Sequence, residues 1–231
     1  MNQSSTSIAS SLTPVASSYA VPALGLVRVA GRDAVKVLSG LCTAKLTEMP
    51  VGAATEAFFT DDRGRILVHG IVALDTDGAW IVGQIAAPAA LAMHIDRFIF
   101  REDAVPRDVT GQWSGRLVDG SQACSRLAAA AGLESTAVSE VAFGRLRMGE
   151  LDVWVMQLPI TGPEARLCLV PTEQQAALDQ ALAAAGFDAR ADAAEFESLR
   201  IANFWPLAGP EISQRTLPQE LDRDAHAFSF T

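Results

Sequence analysis

An α+β fold follows from three features of the sequence. Short apolar runs come in pairs joined by Asp- and Gly-rich turns, which marks antiparallel hairpins. Between those pairs lie longer stretches with apolar residues three and four apart, the spacing of a helix face. No short-period repeat or low-complexity linker interrupts the 231 residues, so any domain boundary is intimate, and helices segregate around hairpins rather than alternating with single parallel strands.

Along the chain, residues 24–29 alternate well enough for a strand, and Gly31-Arg32-Asp33 turns into a helix carrying Val35, Val37, Leu38 and Leu41. Ala57 to Thr60 and Ile66 to Val68 flank Asp61-Asp62-Arg63-Gly64, a hairpin whose glycine supplies the turn. A second strand pair, residues 70–74 and 79–84, is joined by Asp75-Thr76-Asp77-Gly78. Pro88 opens a helix running to about Phe100, with Leu91, Ile95, Phe98 and Ile99 expected inside.

The second half repeats the mixture. Residues 105–109 and 114–118 read as strands, and residues 121–131 as a helix stopped by Gly132. Three strands follow at residues 141–148, 151–158 and 165–169. Thr172 is expected to cap a helix over 173–185 that Gly186 ends, and Asp192 to cap a last helix over 193–203 before Pro206.

Composition narrows the function classes. Hydrophobic residues are 49% and charged residues 19%, which is the balance of a buried core. A net charge of −9, from 18 basic and 27 acidic residues, excludes broad binding to a nucleic-acid backbone. Cys42, Cys124 and Cys168 are too far apart for a Cys-x-x-Cys site, and His69, His94 and His226 are scattered, so no metal site is expected. No apolar run of about 18 residues predicts a membrane span. The Ser- and Thr-rich start holds no Lys or Arg up to Ser18, unlike a secretory or transit signal, and a cytoplasmic location is expected. The four tryptophans, Trp80, Trp113, Trp154 and Trp205, are most simply core, although Trp205 could stack a flat ligand.

Six segments taken in order carry a resemblance. They are Gly31-Arg32-Asp33-Ala34, Leu41-Cys42-Thr43-Ala44-Lys45-Leu46, Thr60-Asp61-Asp62-Arg63-Gly64-Arg65-Ile66-Leu67 and Asp96-Arg97-Phe98-Ile99-Phe100-Arg101, then the run from Arg200 to Gly209 and Pro218-Gln219-Glu220. Their order and spacing resemble the YgfZ family of folate-binding proteins, relatives of the T-protein (aminomethyltransferase) of the glycine cleavage system. The resemblance implies the N-terminal folate-binding architecture of that group: a ferredoxin-like unit and a neighbouring sheet-and-helix unit around a folate-sized cavity. Residues 1–20 are expected to be a disordered polar tail, and residues 21–231 the folate-binding region, in two intimate subdomains. In the family an apolar strand like Phe228-Ser229-Phe230 runs into a Lys-Gly-Cys-Tyr-x-Gly-Gln-Glu signature and then a C-terminal β-barrel. The sequence stops at Thr231, so the expectation is a chain without signature or barrel, with exposed apolar surface and a tendency to associate.

By the same resemblance, T-proteins carry a catalytic carboxylate in a Gly-Gly-x-x-Asp-Asp pattern, and here Gly64-Arg65-Ile66-Leu67-Val68-His69 stands in its place. Valine cannot exchange a proton with a folate nitrogen, which argues against aminomethyl transfer. The pattern Arg-x-Glu-Ala-Gly becomes Arg200-Ile201-Ala202-Asn203-Phe204, with Ala202 replacing a glutamate that accepts from the pterin edge. The candidate cofactor-binding residues are Arg200, Asn203, Gln219, Glu220, Arg65 and His69. For Arg200 an ion pair with Glu197 or Asp192 is the competing reading, and for Arg65 a solvated hairpin. The implied cofactor is tetrahydrofolate, and the implied role is support of iron–sulfur protein assembly or repair, with assembly proteins or client enzymes as partners. An aminomethyltransferase-type enzyme and a degenerate interaction module are the alternatives.

Overall fold

A computed structural model describes residues 16–134 and 136–227. The described chain divides into two compact units, one built from residues 16–21 and 114–205, the other from 22–113 and 206–227. Each has its own sheet, and the α+β class expected from the sequence is the class observed.

The first unit has a six-stranded sheet in the order β11-β1-β7-β10-β9-β8. Its strands are β1 (Ser17–Tyr19), β7 (Trp113–Asp119), β8 (Phe143–Met148), β9 (Leu151–Gln157), β10 (Arg166–Pro171) and β11 (Asp188–Arg190). β8, β9 and β10 run antiparallel in series, β1 is antiparallel to β7, and β1 and β11 are parallel. The core under this sheet gathers Val118, Leu127, Val153, Val155, Cys168, Leu178 and Leu182. Helices Ala123–Ala130 and Gln175–Ala184 contribute their apolar stripes to it. The last helix, Ala193–Ala202, starts as predicted: the Asp192 carboxylate accepts from Ala194 N–H at 2.8 Å and Glu195 N–H at 3.3 Å.

The second unit has a five-stranded antiparallel sheet, β3-β4-β5-β2-β6. Its strands are β2 (Leu24–Ala30), β3 (Ala54–Thr60), β4 (Ile66–Asp75), β5 (Gly78–Gln84) and β6 (Val105–Asp108). Helices Ala34–Ser39 and Pro88–Asp96 pack on it, with Leu38, Leu91 and Ile95 in the core, and a short helix, Asp224–Ala227, ends the described chain. The two runs predicted as separate strands, at 66–68 and 70–74, are one strand through His69 and Gly70. Gly70 is required there: a Cβ would stand 2.7 Å from the Val82 carbonyl oxygen of the neighbouring strand.

Several expectations are corrected. The Pro88 helix ends at Asp96, and Phe98, expected inside, is 45% exposed, its ring edge set against His94 at 5.3 Å. Leu91, Ala92 and Ile95 already fill the single stripe that a nine-residue helix offers the core, and Ile99 packs against the same core from beyond its end. Thr172 does not cap a helix: residues 172–174 form a 3-10 turn, and the α-helix starts at Gln175. Of the polar tail expected over residues 1–20, residues 16–20 are described, and Ser17–Tyr19 form β1, with Tyr19 buried. The strand expected at Phe228 to Phe230, and the association argued from it, lie outside the described residues. Among the described residues no helix is long and apolar enough to cross a membrane.

Candidate functional site

β3 and β4 explain where His69 points. Side chains alternate across a strand, so Ala57, Phe59, Val68 and Val72 meet the main core of the second unit while Glu56, Phe58 and His69 face the other way. Phe58 and His69 are cross-strand partners, and their rings stack at 4.7 Å. That second face is covered by the segment 206–227, which adds Ile212 and Ala227 to Phe58 and Ile66.

The covered face holds a charge cluster that the sequence reading did not name beyond His69. Arg223 Nε donates to Glu56 Oε1 at 2.8 Å, and Arg223 Nη2 donates to Glu56 Oε2. His69 Nε2 lies 2.7 Å from Glu56 Oε1, and Nδ1 lies 3.2 Å from the Pro206 carbonyl oxygen. All three side chains are buried. Burial pushes the Glu56 carboxyl up, yet the hydrogen bonds and charges of His69 and Arg223 outweigh it and hold it at about 2. A ring clamped in this way fastens the segment 206–227 to the sheet.

The other residues named from sequence fall in different places. Arg65 follows the hairpin and lines an open hollow of about 600 Å³ with Asp61, Leu67, Ile212 and Gln214. Gln219 and Glu220 are exposed in the 3-10 turn Pro218–Leu221, where the Glu220 carboxylate accepts from Leu217 N–H at 3.1 Å. In the first unit Arg200 is 1% exposed. Its Nε and Nη2 grip the Glu197 carboxylate at 2.8 and 2.6 Å, and Nη1 donates to the Trp205 carbonyl. This is the ion-pair reading of Arg200, and it pins the C-terminal end of the last helix. Trp205 itself is buried in place.

Asn203 lines a half-open hollow in the first unit, together with Ala202. Its Nδ2 donates to the Pro159 carbonyl, tying the helix end to the loop 158–165. Beside it opens a cavity of about 320 Å³ lined by Asp119, Thr161, Gly162, Glu164, Ala202 and Asn203, among others. Arg166 props up the same loop from beneath, donating to the Ala165 and Ser139 carbonyls at 3.1 Å each. Asp119 and Thr161 were not named from sequence. Their only signals are an Asp-Gly-Ser strand-to-helix turn and a Thr-Gly-Pro turn, patterns common to many surface loops.

The scaffold is a two-unit α+β domain with a hollow at a helix end of one unit. Residues 15–225 match the GCVT N-terminal domain, and the chain belongs to that family. The fold is similar to that of the glycine cleavage system aminomethyltransferase T from Bartonella henselae, with a TM-score of 0.75 at 20% identity over 91% of this chain. This chain spans 57% of the length of that one. A chain of the heterotetrameric sarcosine oxidase from Corynebacterium sp. U-96, in complex with pyrrole 2-carboxylate, is also similar, with a TM-score of 0.54 at 12% identity over 82% of this chain and 90% of that one. No curated protein matches the sequence significantly.

Proposed function

We propose that the chain binds tetrahydrofolate without transferring an aminomethyl group. The reading rests on family membership and on the cavity at the end of helix Ala193–Ala202, the observation that carries it. A volume of about 320 Å³ takes a bicyclic ring, at the lower end of the range for small-molecule pockets. Transfer chemistry needs a positioned acid or base. The positions that resemble the T-protein carboxylates are Val68, which has none, and His69, whose two nitrogens are held by Glu56 and Pro206.

Within that reading Asn203 and Arg200 shape and fasten the pocket wall. Arg65, Gln219 and Glu220 remain proposals for folate contacts, with Arg65 suited to the anionic glutamate tail, whereas the two His69 ring nitrogens are taken up by Glu56 and Pro206. The finer assignment is to the YgfZ type, a cytoplasmic factor in assembly or repair of iron–sulfur enzymes, with those enzymes or their assembly proteins as partners. Calorimetric titration with tetrahydrofolate tests the binding: saturable heat is expected, and none at millimolar ligand overturns it. Incubation with an aminomethyl donor and tetrahydrofolate is expected to give no methylene-tetrahydrofolate. Cells depleted of the chain are expected to lose iron–sulfur enzyme activity and to regain it on re-expression; undiminished activity removes the finer assignment.

A further inference from the structure

The cavity in the first unit combines acidic lining residues with buried polar atoms that lack partners among the described residues. Among the described residues its charged lining side chains, Asp119 and Glu164, are both acidic, and no Lys or Arg lines it. An anionic group is therefore a poor fit, and a ligand edge rich in N–H is a good one. Asp119 sits at the end of β7 and is 2% exposed. Its Oδ1 accepts from Gly120 N–H at 2.7 Å, while Oδ2 is buried with no hydrogen-bond partner among the described residues. Thr161 Oγ1, buried in the same lining, is in the same condition. Buried polar atoms without partners are few in native proteins, and two in one cavity mark a place where a ligand completes the hydrogen bonding.

The backbone keeps that carboxyl open. A Cβ on Gly162 would stand 3.3 Å from Asp119 Oδ2 and 3.4 Å from Oδ1, so any side chain there would press on the group. Ala202 lines the same cavity. Its methyl leaves room where a longer acidic side chain would fill the space, and the oxygen comes from the strand end instead of the helix.

We propose that Asp119 is the specificity-determining residue of this cavity and that it takes the amino edge of an aminopyrimidinone ring. Asp119 Oδ2 accepts from the exocyclic amino group and the adjacent ring N–H, and the Thr161 hydroxyl donates to the ring carbonyl. A reduced pterin presents that edge, so the assignment rests on the folate reading above and names the atoms that carry it. Ligands with the same bicyclic shape but no amino group at that position are rejected, because Oδ2 then stays buried and unpartnered.

The test is calorimetric titration of tetrahydrofolate and of isocytosine, the bare aminopyrimidinone, into the parent chain and Asp119→Asn, with circular dichroism to establish that the variant is folded. The amide presents N–H or a weaker acceptor to the ligand's donors, and both ligands are expected to bind roughly 10- to 100-fold more weakly to it. Equal affinity of tetrahydrofolate for parent and variant overturns the Asp119 assignment and leaves the folate reading standing. Asp119-dependent binding of isocytosine without binding of tetrahydrofolate supports the assignment and overturns the folate reading. Binding of neither ligand overturns both. Should Asp119→Asn fail to fold, Gly162→Ala crowds the same carboxyl without removing it, and unchanged affinity there overturns the assignment.

Discussion

Removing the Arg223 guanidinium leaves Glu56 as a buried carboxylate with the His69 ring against one of its oxygens. The substitution Arg223→Ala deletes the two donors that hold Oε1 and Oε2. It also detaches the segment 206–227 from β3 at a residue 167 positions away in sequence. Breaking one side of a buried ion pair costs about 3–5 kcal/mol, because the surviving charge keeps its desolvation penalty without its compensation. In a folding unit of about 100 residues each kcal/mol moves Tm by about 4–8 °C, so the variant is expected to melt roughly 12 °C or more below the parent. Thermal unfolding followed by circular dichroism reads this directly. The double variant Glu56→Met with Arg223→Met removes both charges and is expected to lose less stability than Arg223→Ala alone. A shift of less than about 2 °C for Arg223→Ala would refute the reasoning, since the pair would then contribute no more than an exposed salt bridge.

The same carboxyl sets an acid limit. Glu56 is held at about 2 against an ordinary value of 4.5, so the unfolded chain takes up its proton first. The stabilisation is complete above that ordinary value and is lost as pH falls toward 2, amounting to on the order of 3 kcal/mol; a Glu56→Gln variant whose stability declines as steeply over that window would contradict it. Asp192→Ala removes a cap that accepts two backbone N–H groups and is expected to cost about 1 kcal/mol in urea unfolding, with an unchanged midpoint as the contrary result. Burial pushes the Cys168 thiol up to about 12 and the Cys42 thiol to about 11, so iodoacetamide at neutral pH is expected to modify the chain only after unfolding. Rapid labelling of Cys168 in the folded chain, read by peptide mass spectrometry, would count against that core.

What the sequence made legible was local. The hairpin around Asp61 to Gly64, the Asp192 cap and the apolar stripes all announce themselves within a few residues, because turn geometry, capping and side-chain period act over that range. β1 and β11 escaped because each is three residues long and their parallel pairing joins Ser17 to Asp188 across the chain. Glu56 escaped because one acid in an apolar strand reads as an edge residue, and only folding brings Arg223 to it. The site divides the same way. Ala202 and Asn203 could be placed by a motif, whereas Asp119 and Thr161 become visible only once a strand end, a loop and a helix end share one hollow.

Among the described residues two carboxyls are buried, one in each unit, and they differ in a way that separates scaffold from site. Glu56 is saturated: a guanidinium and an imidazole meet both oxygens, and nothing is left for a ligand to do. Asp119 has one backbone donor, and a glycine where any other residue would cover it. Selection for stability alone would pair or replace such a group, since an unmatched buried oxygen costs about 1–3 kcal/mol and an apolar side chain of similar size costs less. Its place beside Thr161, in a cavity that no Lys or Arg among the described residues lines, is the pattern expected when the missing partner arrives with the ligand.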